Sequence, residues 1–432
     1  MLAVVVFAAV LGSITGLIHL YLWQRLVRDT LRPGRWRRFG GVAAIVLALL
    51  VPATLMLARG GAIKLLAWPG YIWLAVMFYL LVVLLALEVP RLALTLWWRY
   101  RRPSTSVATS ITAAGIAGPA PATDASAAEA PTAESPAAEA PAAEAPAAEA
   151  VVGGGGIDRR LLLARGAAIF AGLTAAGITG YGVRTALGPP QLDRVQIPLK
   201  RLPRAMDGTR IALVSDIHLG PLTGRDHARR IVDLINSVDA DIVAIVGDLV
   251  DGDVDELGPG AAALRDIRSR HGAYFVTGNH EYYSGHQQWI DELSHLGVRT
   301  LRNERLEIAA RGGVLDLAGV NDPGGDAFGD PPDFAKALGG RDPSRPVVLM
   351  AHQPLAAFEA AAYGVDLQVS GHTHGGQMAP FNLLIPLQQP VTSGLGTVDG
   401  VPVYVTNGAG FWGPPVRVGA PPQLTLLTLH AQ

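Results

Sequence analysis

Cysteine is absent from this 432-residue chain. Its absence rules out disulfides, thiolate nucleophiles and cysteine-ligated zinc, so a bound metal would have to be held by nitrogen and oxygen, and the redox compartment stays open. Charged residues make up only 16% and aromatics 6%, and the formal net charge is −1, a balance with no large basic surface for nucleic acid. What is abundant is apolar: half of the residues are hydrophobic and the mean hydropathy is +0.30. That is high for a purely soluble protein and implies a membrane portion.

Residues 1–102 read as a three-helix transmembrane region. The apolar stretches Leu2 to Trp23, Val42 to Leu57 and Leu65 to Leu87 are each about the length needed to cross ~30 Å of hydrocarbon as a helix. The segment between the first two carries Arg25, Arg28, Arg32, Arg35, Arg37 and Arg38, and after the third Arg99, Arg101 and Arg102 stand beside Trp97, Trp98 and Tyr100. Basic loops stay in the cytoplasm. Both segments therefore face inside, while the short loop with Arg59 and Lys64, and the amino terminus, face out. Helices buried in a soluble bundle would not explain these basic and aromatic edges.

Residues 103–156 are rich in Ala, Pro, Glu, Ser and Thr, and contain the run PAAEAPAAEAPAAEA before a final GGGG. With almost no large apolar side chains, such a segment cannot bury enough surface to fold and reads as a disordered cytoplasmic linker. Residues 157–188 then hold a further apolar stretch, Leu161 to Leu187, introduced by Arg159, Arg160 and Arg165. A fourth transmembrane helix with its basic end inside makes the protein a multi-pass protein of the cell membrane and delivers everything after Gly188 outside. The Arg159-Arg160 pair resembles a twin-arginine export signal, but it lies far inside the chain and no distinctive cleavage site follows, so an uncleaved helix is expected. Should this stretch fail to cross, the rest would be cytoplasmic.

Residues 195–432 have a different texture. Short β-branched runs such as RIALVSD, DIVAIVGD, GAYFVTGN, VLDLAGVND, PVVLMAHQP, VDLQVSGHTHGG and VPVYVTNGAG end in polar, glycine-rich turns. Between them, DHARRIVDLINSV and HQQWIDELSHLG place apolar residues at helical spacing. Near-continuous apolar strands imply sheets covered on both faces, and alternation with helices implies an α/β layered domain.

Polar clusters fall directly after these strands: Asp216 and His218, Asp248 and Asp251, Asn279 with His280 and Glu281, His352, and His372 with His374. In α/β sheets ligands gather at the carboxyl ends of strands. One Gly-Asp pair is usually a turn, one His a satisfied core residue, but five clusters in the same relative position point to a shared site. In an extended SGHTHGG loop, residues two apart point the same way, so His372 and His374 can reach one small target. Four histidines with carboxylates suit manganese, iron, zinc or cobalt better than an all-oxygen magnesium or calcium cage. The other histidines have no partner at a strand end and read as surface or core. Glu281 reads as structural, Arg417 as a salt-bridge or carbonyl partner or a phosphate contact, and the acidic stretch Asp322, Asp326, Asp330 and Asp333 as solvated.

The ordered set D-x-H, G-D-x-x-D, G-N-H-E, H and G-H-x-H between Ile211 and Gly376 resembles the calcineurin-like metallophosphoesterase superfamily. The tail NGAGFWGPPVRVGAPPQLTLLTL, with the apolar amino-terminal half, is similar to its membrane-associated bacterial subgroup of predicted phosphohydrolases. The resemblance implies a two-sheet β sandwich flanked by helices, here preceded by an all-α transmembrane region. It implies two divalent metal ions, one held by Asp216, His218 and His374, the second by Asn279, His352 and His372, with Asp248 bridging. It further implies hydrolysis of a phosphomono- or phosphodiester, with His280 over the substrate. Asp251 either pairs with His280 or closes its turn. A lipid-derived or cell-envelope phosphoester is a candidate substrate. A non-hydrolytic metal-binding scaffold or sensor is the alternative, although none of the expected ligands is missing.

Overall fold

The computed structural model describes residues 2–57, 64–100 and 159–432. The expected linker at 103–156 lies outside the described residues, as do Arg59, Arg101 and Arg102. Four long helices come first among the described residues: α1 (Leu2–Trp23), α2 (Arg35–Leu57), α3 (Lys64–Tyr100) and α4 (Arg159–Leu187). Helices α2 and α3 run further than the apolar stretches alone, taking in Arg35 and Arg37 at one end and Trp97 at the other. Among the described residues, segments 35–56, 65–94 and 160–187 are long and apolar enough to cross a membrane, by length and composition. A polar cluster ties the helices at one end, where Arg25 pairs with Asp29 and Glu88 at 3.0 and 2.7 Å, and Arg165 donates to the Thr30 carbonyl at 3.1 Å.

The rest is built on two six-stranded sheets. The first holds β1 (Gln191–Leu199), β2 (Thr209–Val214), β3 (Ile242–Val246), β4 (Ala273–Val276) and β5 (Val298–Thr300). The second holds β6 (Glu304–Ala310), β7 (Gly313–Gly319), β8 (Val347–Met350), β9 (Leu367–Ser370), β10 (Gly394–Val398) and β11 (Val401–Val405), and β12 (Gln423–Ala431) returns to the first. Their orders are β1-β12-β2-β3-β4-β5 and β10-β11-β9-β8-β7-β6. Strand β1 begins at Gln191, ahead of the expected boundary at Val195, because it pairs in parallel along β12.

Alternation along each strand divides the core. Ile211 and Leu213 face the second sheet, meeting Leu315, Leu317, Val348 and Met350, whereas Ala212 and Val214 face α5 (Arg225–Ser237) through Ile231 and Ile235. Strands β2, β3 and β4 are parallel neighbours, and so are β7, β8 and β9. Their carboxyl ends therefore open onto one edge of the sandwich. That edge rests on the helices: Val416 is fully buried among Leu22, Ala75, Leu84 and Ala175, with Met378 and Val418 packed alongside.

Candidate metal centre

Every strand-end cluster arrives at this edge. Asp216 and His218 follow β2, Asp248 and Asp251 follow β3, His352 follows β8, and His372 and His374 follow β9. Asn279 and His280 open a short helix, α7 (Asn279–Tyr283), directly after β4. Glycines in the motifs allow the close approach: a Cβ on Gly278 would sit 2.2 Å from Asp248 Oδ1, and one on Gly371 would sit 2.3 Å from Asp216 Oδ2.

The proposed ligands form two adjoining groups, and a third cluster, His218 with Asp251 and His280, overlaps the first. Asp216, His218 and His374 offer ligand atoms within 4.8 Å of one another, and so do Asp248, His352 and His372. His374 Nε2 lies 3.2 Å from Asp216 Oδ1 and 3.1 Å from His218 Nε2. His352 Nε2 lies 3.2 Å from Asp248 Oδ2 and 3.3 Å from His372 Nδ1. Asp248 Oδ2 is also 3.8 Å from His218 Nε2, so this carboxylate stands between the groups.

Two observations of the protein alone fit metal ions here. First, Asn279 Oδ1 is buried without a hydrogen-bond partner while it lines the same cavity as Asp248, His372 and His374. An orphaned buried acceptor is costly unless something meets it. Second, Asp216, His218, Asp248, His372 and His374 have φ values of 52°, 49°, 53°, 70° and 52°. Left-handed backbone is strained for such residues and gathers at functional sites.

The electrostatics agree. Burial alone would raise the carboxyl pKa of Asp216 and Asp248, but the facing imidazoles, His374 and His352 respectively, bring both below the ordinary range. Burial pushes His372 and His374 down to about 4, which keeps both neutral, the form that binds a metal. Burial also opposes protonation of His280, yet nearby Asp248 and the bond to Asp251 override it and push its pKa up to about 9.

The two imidazoles of the SGHTHGG loop do not point the same way. With His372 left-handed and His374 opening a 3-10 turn, the loop is not extended, so one ring joins each group. His280 likewise leaves the direction of Asn279 by helical rotation, not by strand alternation. Asp251 does more than close a turn: its Oδ1 lies 2.6 Å from His280 Nδ1 and 3.1 Å from His218 Nδ1, orienting both rings.

Glu281, read as structural, and Arg417, read as a salt-bridge or carbonyl partner or a phosphate contact, both support the site. Glu281 accepts backbone N–H bonds from Asp248, Leu249 and Gly278 at 3.0, 2.7 and 2.6 Å, clasping two ligand turns together. Arg417 is fully buried. It donates to the carbonyls of His374, Asn407 and Ala420 at 2.9, 2.9 and 3.2 Å, and its Nη2 lies 3.1 Å from His374 Nδ1. It is thus a carbonyl partner that braces a candidate ligand. The acidic stretch is structural at Asp322, which is buried and accepts from Gly324 N and Gln353 Nε2, and at Asp333, which caps a helix.

Residues 209–376 match the family described as Calcineurin-like phosphoesterase. A Bos taurus protein named "Transmembrane protein with metallophosphoesterase domain" is 39% identical over 64% of this chain and 65% of its own length. The chain thus spans just under two thirds of that relative. A Helicobacter pylori "Uncharacterized metallophosphoesterase" is 36% identical over 60% of this chain and 68% of its own. One of the same name from Aquifex aeolicus is 33% identical over 56% of this chain and 92% of its own.

Proposed function

Because the chain belongs to the calcineurin-like metallophosphoesterases, we propose that it is a membrane-anchored phosphoesterase working with two divalent metal ions of the manganese, iron, zinc or cobalt kind. The observation that carries this reading is the pair of adjoining His/Asp groups around Asp248. Asp216, His218 and His374 would hold one ion, Asn279, His352 and His372 would hold the other, and Asp248 would serve both. When bound, such ions polarise the phosphoryl group and supply the nucleophilic water near neutral pH.

His280 lies outside the two proposed ligand sets, although its backbone N–H donates to Asp248 Oδ1 at 2.9 Å, and the ring is pushed toward the protonated form by Asp248 and by Asp251, which takes the Nδ1 hydrogen. That leaves Nε2–H to go to the departing oxygen as the P–O bond breaks. Full-length protein reconstituted with single metals should therefore cleave simple phosphoesters. His280→Ala should keep its metal and lose on the order of 10²- to 10⁴-fold with an alkoxide leaving group, but far less with nitrophenolate, which needs no proton. Full metal content with no cleavage of any phosphoester would leave the non-hydrolytic scaffold instead.

The anchoring follows from the basic flanks of the apolar segments, which set α1 to α4 across the cell membrane and the sandwich outside the cytoplasm. Reporter fusions after Gly188 should be active outside, and fusions near Ala120 inactive there. A cytoplasmic signal after Gly188 overturns the placement.

A further inference from the structure

The metal groups are one end of a larger chamber. A cavity of about 600 Å³, well inside the usual ~300–1,000 Å³ of ligand sites, runs from Asp248, Asn279 and His280 to the amino-terminal helices. Its far wall is Ile18 of α1 with Leu74, Met77, Phe78 and Leu81 of α3. Spacings of three, four and seven residues put those α3 side chains on one helical face. Met378, Phe381 and Ile385 continue the apolar lining from the sandwich side. Beside them Leu383, Leu384 and Leu387 are 72%, 52% and 81% exposed, an apolar patch of the kind that meets a membrane or partner.

A small water-soluble phosphoester has no use for such a wall. We propose that the substrate is an amphiphile: a phosphoester whose phosphoryl group sits at Asp248 and His280 while its hydrocarbon chain lies in the chamber between α1, α3 and residues 378–385. The inference rests on the phosphoesterase reading and narrows it to lipid-like substrates taken from the bilayer in which α1 and α3 stand. The exposed leucines at 383, 384 and 387 keep the chamber mouth in contact with that bilayer.

The test uses the full chain in lipid nanodiscs, loaded with metal. Two series with growing alkyl chains serve as probes, monoalkyl phosphates read by released inorganic phosphate and alkyl nitrophenyl phosphodiesters read by nitrophenolate. In whichever series is cleaved, kcat/KM should rise roughly two- to fourfold per added methylene until the chamber is full. Met77→Trp, which fills the chamber, should lower the ratio of long-chain to nitrophenyl phosphate turnover by about tenfold or more. Phe381→Ser, at a half-exposed position where folding is not at stake, should lower it in the same direction. A flat chain-length series with nitrophenyl phosphate still cleaved overturns the tail site and leaves the phosphoesterase standing. In metal-free protein, an alkyl phosphate with a diazirine at its tail should label residues 74–81 and 378–385 on irradiation. Labelling there without cleavage of any phosphoester keeps the tail site and sinks the hydrolytic reading; labelling elsewhere sinks the tail site.

Discussion

Around a single cavity, the polar rim comes from turns that each follow a strand, whereas the opposite wall comes from helices far earlier in the sequence and from the segment at 378–385. On the rim, Asp216, Asp248 and His374 are fixed by left-handed backbone and glycines that admit neighbouring carboxylates. Across the cavity, Leu74, Met77, Phe78 and Leu81 share one face of α3, with Met77 also packed into the core of the helical bundle. The rim is specified atom by atom because metal ligation tolerates little error. The wall needs only shape and apolarity, so many side chains would serve.

The rim should therefore break at a single atom. Asp248→Ala removes the carboxylate shared by both groups, and we expect loss of both metals and of all measurable turnover, read by elemental analysis beside a phosphoester assay. Retained metal would show that Asp248 is not the shared ligand. At the seam between rim and wall, Arg417→Met leaves the carbonyls of His374, Asn407 and Ala420 without their donor, each costing about 1–3 kcal/mol. A lower unfolding temperature should come with weaker metal retention, and an unchanged melting curve would remove Arg417 as a brace. Deleting Ala137 to Ala150, within the expected linker, should leave metal content and small-substrate hydrolysis almost unchanged. A clear loss in a correctly inserted deletion would give that segment a structural role.

The same contrast explains what was legible in the sequence. Strand ends could be read because apolar runs followed by D-x-H, G-N-H or G-H-x-H announce both the element and the candidate ligand, and the family match confirms the fold they belong to. The direction of His372 and His374 could not, since it depends on φ values that a residue name does not carry. Asp251 reaching two histidines, Glu281 clasping two turns and Arg417 bracing His374 all depend on segments that meet only in three dimensions. For Arg417 the one signal was an arginine in an otherwise apolar, proline-rich tail. The helical wall gave no signal, because in an apolar helix nothing distinguishes the face that lines a cavity from the one that meets lipid.

The backbone N–H of Arg417 donates to the Gly182 carbonyl of α4 at 3.0 Å, and a Cβ on Gly182 would lie 2.4 Å from Val416. The loop that steadies His374 is thus seated directly on a helix of the apolar bundle. Cutting the chain before Gln191 to obtain a soluble fragment would unseat that loop, uncover Val416, Met378 and Val418 together, and strip away the Ile18 and α3 side of the chamber. The sandwich is therefore not a detachable head on a stalk: the bundle serves as the floor of the cavity at its strand-end edge, and a fragment without that floor would be a different and stickier molecule.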